Sequence, residues 1–172
     1  HESEHAVSGT CLISFDRNRY SVSARVVRRA VQVRAYADRI VVRCDGEVVA
    51  DHPRFFGRDR TIYDPWHYLP VLVTKPGALR NGAPFQGWEL PPALARLRRK
   101  LGTGDDADRR FVRVLAAVLD DGLEAVEVAV REALLAGVGT VRNFVREAIG
   151  WNGKDHRYGN RQGRFGPAAG WS

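Results

Sequence analysis

The chain has 172 residues, of which 44% are hydrophobic and 27% charged, and its formal net charge is +7. These proportions are typical of a globular protein and exclude collagen-like and disulfide-dense chains. No apolar run approaches the roughly 20 residues that span a bilayer, and no charged-then-apolar signal peptide is present, so we expect a cytoplasmic protein with no membrane contact. The two cysteines, Cys11 and Cys44, lie in apolar strand-like runs and are predicted to be buried, unpaired thiols.

The basic residues are almost all arginine, since 24 of the 27 are Arg and 3 are Lys. Arginine binds phosphate with a bidentate fork and stacks on bases, so this excess favours a nucleic-acid partner. A GC-rich genome produces the same preference for arginine without any such partner. The sequence has no methionine, even at position 1, from which we expect a fragment of a longer protein or a mis-started reading frame.

The first third of the chain predicts a small β-barrel over residues 7–52, preceded by a truncated linker at 1–6. Apolar residues alternate in VSGTCLISF and AVQVRAY, and DRNR (16–19) has the composition of a polar turn. Asp45-Gly46 lies between two β-branched runs and predicts a type I′ hairpin, which needs positive φ at both central residues. About five short strands joined by tight turns favour a closed or half-closed barrel.

Residues 53–92 have no sustained period of 2 or 3.6 residues and are predicted to form an ordered, aromatic and proline-rich connector. Asp64-Pro65 is a helix-start signal, with Asp as N-cap and Pro at the first position, and Pro70 is expected to disturb the short helix that follows. The aromatic side chains predicted to pack the connector against its neighbours are Phe55, Phe56, Trp66, Tyr68, Phe85 and Trp88.

The remainder predicts an α-helical region at 93–149 and a disordered tail at 150–172. Three helices are expected, at 93–101, 105–121 and 123–136, with Asp105 or Asp106 capping the second and glycines Gly122 and Gly137 at helix ends. The last two helices form an αα-hairpin. The whole is therefore an α+β chain: a small barrel, an irregular connector and a helical hairpin.

Candidate catalytic and metal-binding residues are few. The first five residues, HESEH, fit the zinc-protease pattern H-E-x-x-H, but that pattern requires a helix, and the chain leads directly into a strand. His67, between Trp66 and Tyr68, is interpreted as a structural imidazole because no nucleophile or partner carboxylate is evident from the spacing. The sequence thus predicts no catalytic residue, no metal and no cofactor.

The arginines of the barrel segment are the candidate DNA-binding residues. At turns and on outward strand faces they would follow a phosphate backbone, with Tyr20, Tyr36 and Phe55 available for stacking on bases. The alternative is an ordinary solvated surface, since 11 basic residues face 6 acidic ones between positions 7 and 62. The candidates are Arg17, Arg19, Arg25, Arg28, Arg29, Arg34, Arg39, Arg43, Arg54, Arg58 and Arg60.

Four segments resemble the C-terminal region of IstA-type insertion-sequence transposases, from about residue 10 to about residue 137. They are CLISFDRNRYSV, RAYADRIVV, DGEVVADHPR and YDPWHYLPVLVTKPGALRNGAPF. The last contains the connector residues Tyr63, Asp64, Pro65, Trp66, His67, Tyr68 and Leu69. The residues after Gly137 do not resemble the usual ending of that family.

The resemblance implies a Mu-transposase-like (SH3-like) β-barrel followed by a helical segment, without the DDE catalytic core, so the chain itself is not expected to be an enzyme. It implies a noncatalytic module for DNA binding and assembly in transposition. The implied partners are transposon-end DNA, other transposase subunits and an IstB-type ATPase helper, in the bacterial cytoplasm and at the nucleoid when DNA-bound. Two alternatives remain: a protein-interaction module that docks those subunits or the helper through the helices, and a non-functional remnant.

Overall fold

A computed structural model describes residues 1–137, which contain both strands and helices, so the α+β prediction is confirmed. The chain divides into two compact units, the first spanning His1–Trp88 and the second beginning at Glu89. The predicted helical turns at 138–149 and the predicted disordered tail at 150–172 lie outside the described residues.

The first unit contains seven strands arranged in two sheets. The four-stranded sheet has the antiparallel order β1-β4-β5-β6, and in the three-stranded sheet β3 pairs antiparallel with β2 and parallel with β7. The strands are β1 Glu2–Ala6, β2 Leu12–Phe15, β3 Asn18–Ser21, β4 Ala30–Ala35, β5 Arg39–Cys44, β6 Glu47–Pro53 and β7 Thr61–Ile62.

Both sheets contribute to one hydrophobic core. Alternation along β4 and β5 turns one side chain in two inward, and Val33, Ile40 and Val42 are fully buried. Burial of each such side chain stabilises the fold by about 1.5–3 kcal/mol. The core residues are Val7, Ile13, Phe15, Tyr20, Val22, Val26, Val31, Val33, Ile40, Val42, Cys44, Val49 and Ala50.

The N-terminal prediction was wrong. Residues 1–6, expected to be a linker, contain β1, which pairs with β4 in the register Glu2↔Arg34 to Ala6↔Ala30. The HESEH segment therefore lies mainly on a strand, where residues four apart are separated by about 13 Å. That separation is too large for His1 and His5 to share one metal ion. The C-terminal boundary also moves, because β7 joins the second sheet beyond residue 52.

Two local predictions in the first unit are confirmed. Asp45 and Gly46 connect β5 to β6 with φ values of +51° and +82°, as the type I′ turn requires. Both cysteines, Cys11 and Cys44, are buried and unpaired.

The predicted connector consists of short helical pieces within the first unit. The carboxylate of Asp64 accepts the Trp66 N–H at 3.0 Å and caps a 3-10 helix, Pro65–Tyr68, as predicted. The expected disturbance at Pro70 is wrong, because Pro70 occupies the first turn of the next helix, where its missing N–H costs no hydrogen bond. The helices are α1 Leu69–Thr74 and α2 Ala78–Asn81, followed by a 3-10 helix at Ala83–Phe85.

The second unit contains three helices: α3 Pro92–Leu101, α4 Asp105–Asp121 and α5 Leu123–Ala136. Gly122 and Gly137 end α4 and α5 as predicted, with φ values of +85° and +107°. Neither Asp105 nor Asp106 caps α4. The N-cap is Gly104, whose φ of +115° suits glycine, and both aspartates lie in the first turn.

An ion pair joins α3 to α4 inside the second unit. Arg98 Nη2 lies 2.5 Å from the Oδ1 atom of Asp108, which is fully buried, and the Arg98 guanidinium also lies over the Phe111 ring at 5.3 Å. Among residues 1–137, no helix has both the length and the apolar character needed to cross a membrane.

Candidate nucleic-acid interface

Eight of the eleven candidate arginines fall into two groups that the sequence does not separate. The first group has acidic partners on and beside the four-stranded sheet. Arg34 lies 3.3 Å from Glu2 across the β1–β4 pair, and Arg39 lies 3.7 Å from Asp51 across the β5–β6 pair. Arg29 pairs with Asp45 of the hairpin. These cations are exposed but their charge is locally balanced, so this face carries little net potential.

Two other candidates of this part of the unit have polar contacts of their own. Arg43 donates from Nη1 to the Gly46 carbonyl at 3.3 Å, and Arg25 donates from Nε to the Ser23 hydroxyl at 3.4 Å. Arg28 is exposed, has a φ of +63° and lies in the connection between β3 and β4.

The second group is concentrated where the β2–β3 turn meets residues 54–60, and we call it the basic corner. Backbone hydrogen bonds join these segments: the Arg19 N–H donates to the Arg60 carbonyl at 2.8 Å, and the Asp59 N–H donates to the Arg17 carbonyl at 2.9 Å. Five arginines face only two aspartates, Asp16 and Asp59, which gives a formal excess of three positive charges. The arginines of the basic corner are Arg17, Arg19, Arg54, Arg58 and Arg60.

A buried asparagine holds the basic corner together. The side-chain amide of Asn18 donates to the carbonyls of Asp16, Phe55 and Gly57 at 3.0, 3.3 and 2.8 Å, and its Oδ1 accepts the Arg60 N–H at 3.0 Å. Asn18 is almost wholly buried, so these bonds replace water for backbone groups that would otherwise be unpaired. Sequence analysis missed this residue, because an asparagine after a turn ordinarily indicates an exposed position.

The turn that begins the basic corner has an unusual backbone. Asp16 and Arg17 have φ values of +47° and +61°, the left-handed region that costs a residue with a side chain about 1 kcal/mol. Glycine occupies the equivalent second position of the other hairpin, at Gly46. The strain at Arg17 makes the role of its charge a question that a substitution can test.

The aromatic side chains near the arginines differ from the prediction. Tyr20 is fully buried in the core, so the expectation that it stacks on bases was wrong. Phe55 packs partly against the same core, and the Arg60 guanidinium lies 4.9 Å from its ring centre. Phe56 is instead 75% exposed and lies beside Arg54, whose guanidinium is 5.1 Å from its ring centre.

Arg54 is the only arginine of the basic corner for which residues 1–137 show an acidic partner. Its Nη2 donates to Asp16 at 2.7 Å and its Nη1 donates to the Tyr36 carbonyl at 2.9 Å. Its guanidinium also lies 5.9 Å from the Phe15 ring centre. Arg54 is thereby fixed as a support for the neighbouring side chains, while Arg17, Arg19 and Arg58 are exposed to solvent.

The connector contributes a buried polar network, not an active site. The Ser21 hydroxyl lies 2.9 Å from His67 Nδ1 and accepts the Asp64 N–H at 2.8 Å, and His52 Nε2 bonds to the Ser21 carbonyl at 2.6 Å. His67 Nε2 lies 3.7 Å from Asp64. Ser21 resembles the nucleophile of a Ser-His-Asp arrangement but is fully buried, so no substrate reaches it. The network anchors the connector to β3 and β6.

Burial determines the charge state of both histidines. Desolvation lowers the pKa of His67 from 6.5 to about 4, against the opposing attraction of Asp64. Desolvation also lowers the pKa of His52, although its bond to the Ser21 carbonyl acts in the opposite direction. Both rings are therefore neutral at pH 7, and they contact each other with centres 5.4 Å apart.

Other connector residues pack around Tyr68. Its hydroxyl donates to the Thr10 carbonyl at 3.0 Å, and burial raises its pKa well above the usual range. The rings of Trp66 and Trp88 meet edge to face at 4.9 Å. Within the described part of the chain, no three His, Cys, Asp or Glu side chains are grouped closely enough to hold a metal ion.

Comparison with known proteins shows similarity to transposases. Residues 1–64 match the family described as the Mu transposase C-terminal domain. The chain is 48% identical over 137 residues to the transposase for insertion sequences IS1326/IS1353 of Pseudomonas aeruginosa, and equally to that of Shigella flexneri. It is 46% identical over 139 residues to a transposase of Aminobacter aminovorans. No solved structure matches the chain significantly.

The matches cover 74% to 78% of this chain but only 27% of each relative. The chain thus spans about a quarter of the length of the curated transposases that it matches. The basic corner and its asparagine lie entirely within residues 1–64. Residues 1–64 are thus similar to the Mu transposase C-terminal domain, and the chain is similar to a part of the insertion-sequence transposases.

Proposed function

We propose that the first unit is a noncatalytic DNA-binding module of an insertion-sequence transposase, and that the basic corner is its phosphate-binding surface. The observation that carries the proposal is the grouping of five arginines, with a formal excess of three charges, on a backbone fixed by Asn18. Guanidinium groups held on a rigid backbone bind phosphate without paying for the ordering of a loop.

The basic corner is a better candidate than the sheet face. On the sheet face, Glu2 and Asp51 already occupy Arg34 and Arg39, so a phosphate would have to displace a carboxylate. At the basic corner, Arg17 and Arg58 are exposed, and residues 1–137 show no acidic partner for either of them. Contacts of this kind fix the register on the DNA backbone but do not read sequence.

The relatives are whole transposases, which supports a place for this unit in a transposition complex. In that complex we infer that the unit contacts transposon-end DNA and that residues outside this chain, in a DDE core, carry the metal-dependent chemistry. Other transposase subunits and an IstB-type ATPase helper are the further partners.

The test compares two triple variants of the full chain that lose the same charge from the same unit. The first changes the corner arginines Arg17→Gln, Arg19→Gln and Arg58→Gln. The matched control changes the sheet arginines Arg34→Gln, Arg39→Gln and Arg43→Gln. Binding to a labelled DNA duplex is followed by fluorescence anisotropy at increasing potassium chloride, with circular dichroism to verify folding.

We expect the corner variant to lose more affinity than the control and its salt slope to fall by about 2–3, because each phosphate contact contributes about 0.9. An equal loss of DNA affinity in both variants would mean that only the net charge of the unit matters, and it would overturn the assignment to the basic corner. Absence of duplex binding by the unaltered chain at low salt would overturn the DNA-binding proposal itself.

A second candidate function is protein docking by the second unit, and one observation favours it. On α5, Val128 and Leu135 are both exposed, Leu135 by 77%, and they lie seven residues apart on a face separate from the buried Val126 and Val130. Apolar residues two helical turns apart are typical of helix pairing. Capture of purified transposase subunits by the full chain, and its loss in a Val128→Ser/Leu135→Ser variant, would support this function, while unchanged capture by that variant would exclude this face.

A further inference from the structure

We propose that the basic corner recognises DNA with unpaired bases, and that Phe56 is the residue on which one such base stacks. The inference rests on the proposed DNA-binding function and specifies its substrate class. Phe56 is a large apolar side chain that is 75% exposed, and it lies beside Arg54 between Arg54 and Arg58 in the sequence. An exposed aromatic ring beside cationic groups offers a flat face on which a nucleic-acid base can stack.

The backbone on both sides of Phe56 is fixed by buried side chains. On the N-terminal side, the Phe55 N–H donates to the Tyr20 hydroxyl at 3.1 Å and the Phe55 carbonyl accepts from Asn18 at 3.3 Å. On the C-terminal side, the Gly57 carbonyl accepts from Asn18 at 2.8 Å. Phe56 is therefore presented by a rigid support, and little conformational entropy is lost when it binds.

Gly57 is required for this arrangement. A Cβ atom at position 57 would overlap the ring of Phe55, which folds back over the chain. Because Phe55 turns inward against the core, the next side chain, Phe56, points to solvent. Of these two consecutive phenylalanines, Phe55 therefore packs against the core and Phe56 is available to a ligand.

One side of the Phe56 ring is already occupied. The Arg54 guanidinium lies 5.1 Å from its centre and is itself fixed by Asp16 and by the Tyr36 carbonyl. The high exposure of Phe56 leaves the remaining surface of the ring open. A planar group stacked there would form a layer of base, aromatic ring and guanidinium, with flanking phosphates within the field of the nearby arginines.

The surrounding charge selects the partner. We expect a ligand of the basic corner to be polyanionic, because the corner has five arginines and two aspartates, and one of those aspartates, Asp16, is already paired with Arg54. A ligand of Phe56 must also offer a flat apolar face. In a regular duplex those faces are stacked on one another, whereas nucleotides at a bulge, a flap or a melted end expose them.

The test measures the preference of the full chain for unpaired bases. Anisotropy titrations compare a labelled duplex with the same duplex carrying a bulge of unpaired thymines, for the unaltered chain and for Phe56→Ala, Phe56→Trp and Tyr36→Ala. Tyr36 is the matched control, because it is an exposed aromatic of the same unit, is 43% exposed, and contacts a guanidinium, that of Arg39. Circular dichroism verifies that each variant is folded.

We expect the unaltered chain to bind the bulged probe about 5- to 150-fold more tightly than the duplex, which is the range for one base stacked on an aromatic ring. Phe56→Ala should abolish the preference, Phe56→Trp should retain it, and Tyr36→Ala should leave it unchanged.

Equal affinity of the unaltered chain for both probes would overturn the inference and leave duplex binding by the basic corner intact. A preference that persists in Phe56→Ala would also overturn it, and would leave Phe56 as a contact for some other class of partner. Failure to bind either probe would instead overturn the proposed function on which the inference depends.

Discussion

Replacement of Arg17 by glycine tests separately how this residue affects DNA binding and how it affects the stability of the fold. Arg17 has a φ of +61° at the second position of the β2–β3 turn, where the other hairpin has Gly46. An L-residue in the left-handed region costs about 1–2 kcal/mol. Glycine removes that cost but makes the unfolded chain more flexible, which offsets about 0.4–1 kcal/mol. Arg17→Gly should therefore raise the free energy of unfolding by about 0–1.5 kcal/mol.

The same substitution should weaken DNA binding, because it removes one cation that has no acidic partner in residues 1–137. We expect the salt slope of binding to fall by about 0.9 and the affinity to fall about three- to tenfold near physiological salt. A variant that is as stable as the parent or more so, yet binds DNA less well, excludes loss of structure as the explanation.

Urea denaturation and anisotropy on the same preparations provide both quantities, and Arg17→Lys is the matched control. Lysine retains the charge and the unfavourable φ, so its stability and salt slope should stay close to those of the parent. A loss of stability above about 1 kcal/mol in Arg17→Gly would refute the reasoning about backbone strain. Unchanged affinity in Arg17→Gly would refute the role of its guanidinium in phosphate binding.

Three further predictions concern stability, and urea denaturation checks each of them. The pKa of His67 in the folded chain is about 4, against 6.5 for the ordinary side chain, so the free energy of unfolding is highest above pH 6.5 and should fall by up to about 3 kcal/mol between pH 6.5 and pH 4. A His52→Gln/His67→Gln variant should lose less stability over the same range. A parent chain whose stability stays constant over that range would contradict this prediction. Asn18→Ala should cost about 2–4 kcal/mol, because it leaves several buried backbone groups without partners; a cost below about 1 kcal/mol would mean that water replaces the amide. Arg98→Met should cost about 3–5 kcal/mol, because it removes the arginine partner of the buried Asp108 carboxylate, and Arg98→Met/Asp108→Asn should cost less. An equal or larger cost in the double variant would contradict a dominant contribution of the ion pair.

The features that the sequence predicted correctly depend on few neighbouring residues. The turn at Asp45-Gly46 follows from the need for positive φ between two β-branched runs, and the cap at Asp64 follows from one carboxylate two residues before an unpaired N–H. The ends of the helices at Gly122 and Gly137 have the same local origin. Such signals are stronger than any competing tertiary interaction at their positions.

The features that it missed depend on residues distant in sequence. The half-buried residues of β1 are Ser3 and His5, so its sequence shows no alternation of apolar and polar residues. The strand forms because it pairs with β4, about 30 residues later in the chain. Asn18 bonds to the backbone of Phe55, Gly57 and Arg60, about 40 positions later. No local pattern of residues contains either relationship.

Whether an arginine contributes to a positive surface depends on its neighbours in the fold, which the composition does not show. Arg34 and Arg19 are each an exposed arginine on a strand, and the sequence alone treats them alike. In the folded chain, Arg34 faces Glu2 in register, whereas Arg19 faces Thr61, a neutral residue. Because the electrostatic potentials of neighbouring charges add, Glu2 cancels much of the positive potential of Arg34, whereas the potential of Arg19 adds to that of the other arginines of the basic corner. Most of the net positive charge of residues 7–62 thus lies at the basic corner. A count of arginines overstates the area of the DNA-binding surface that we propose and understates its local charge density.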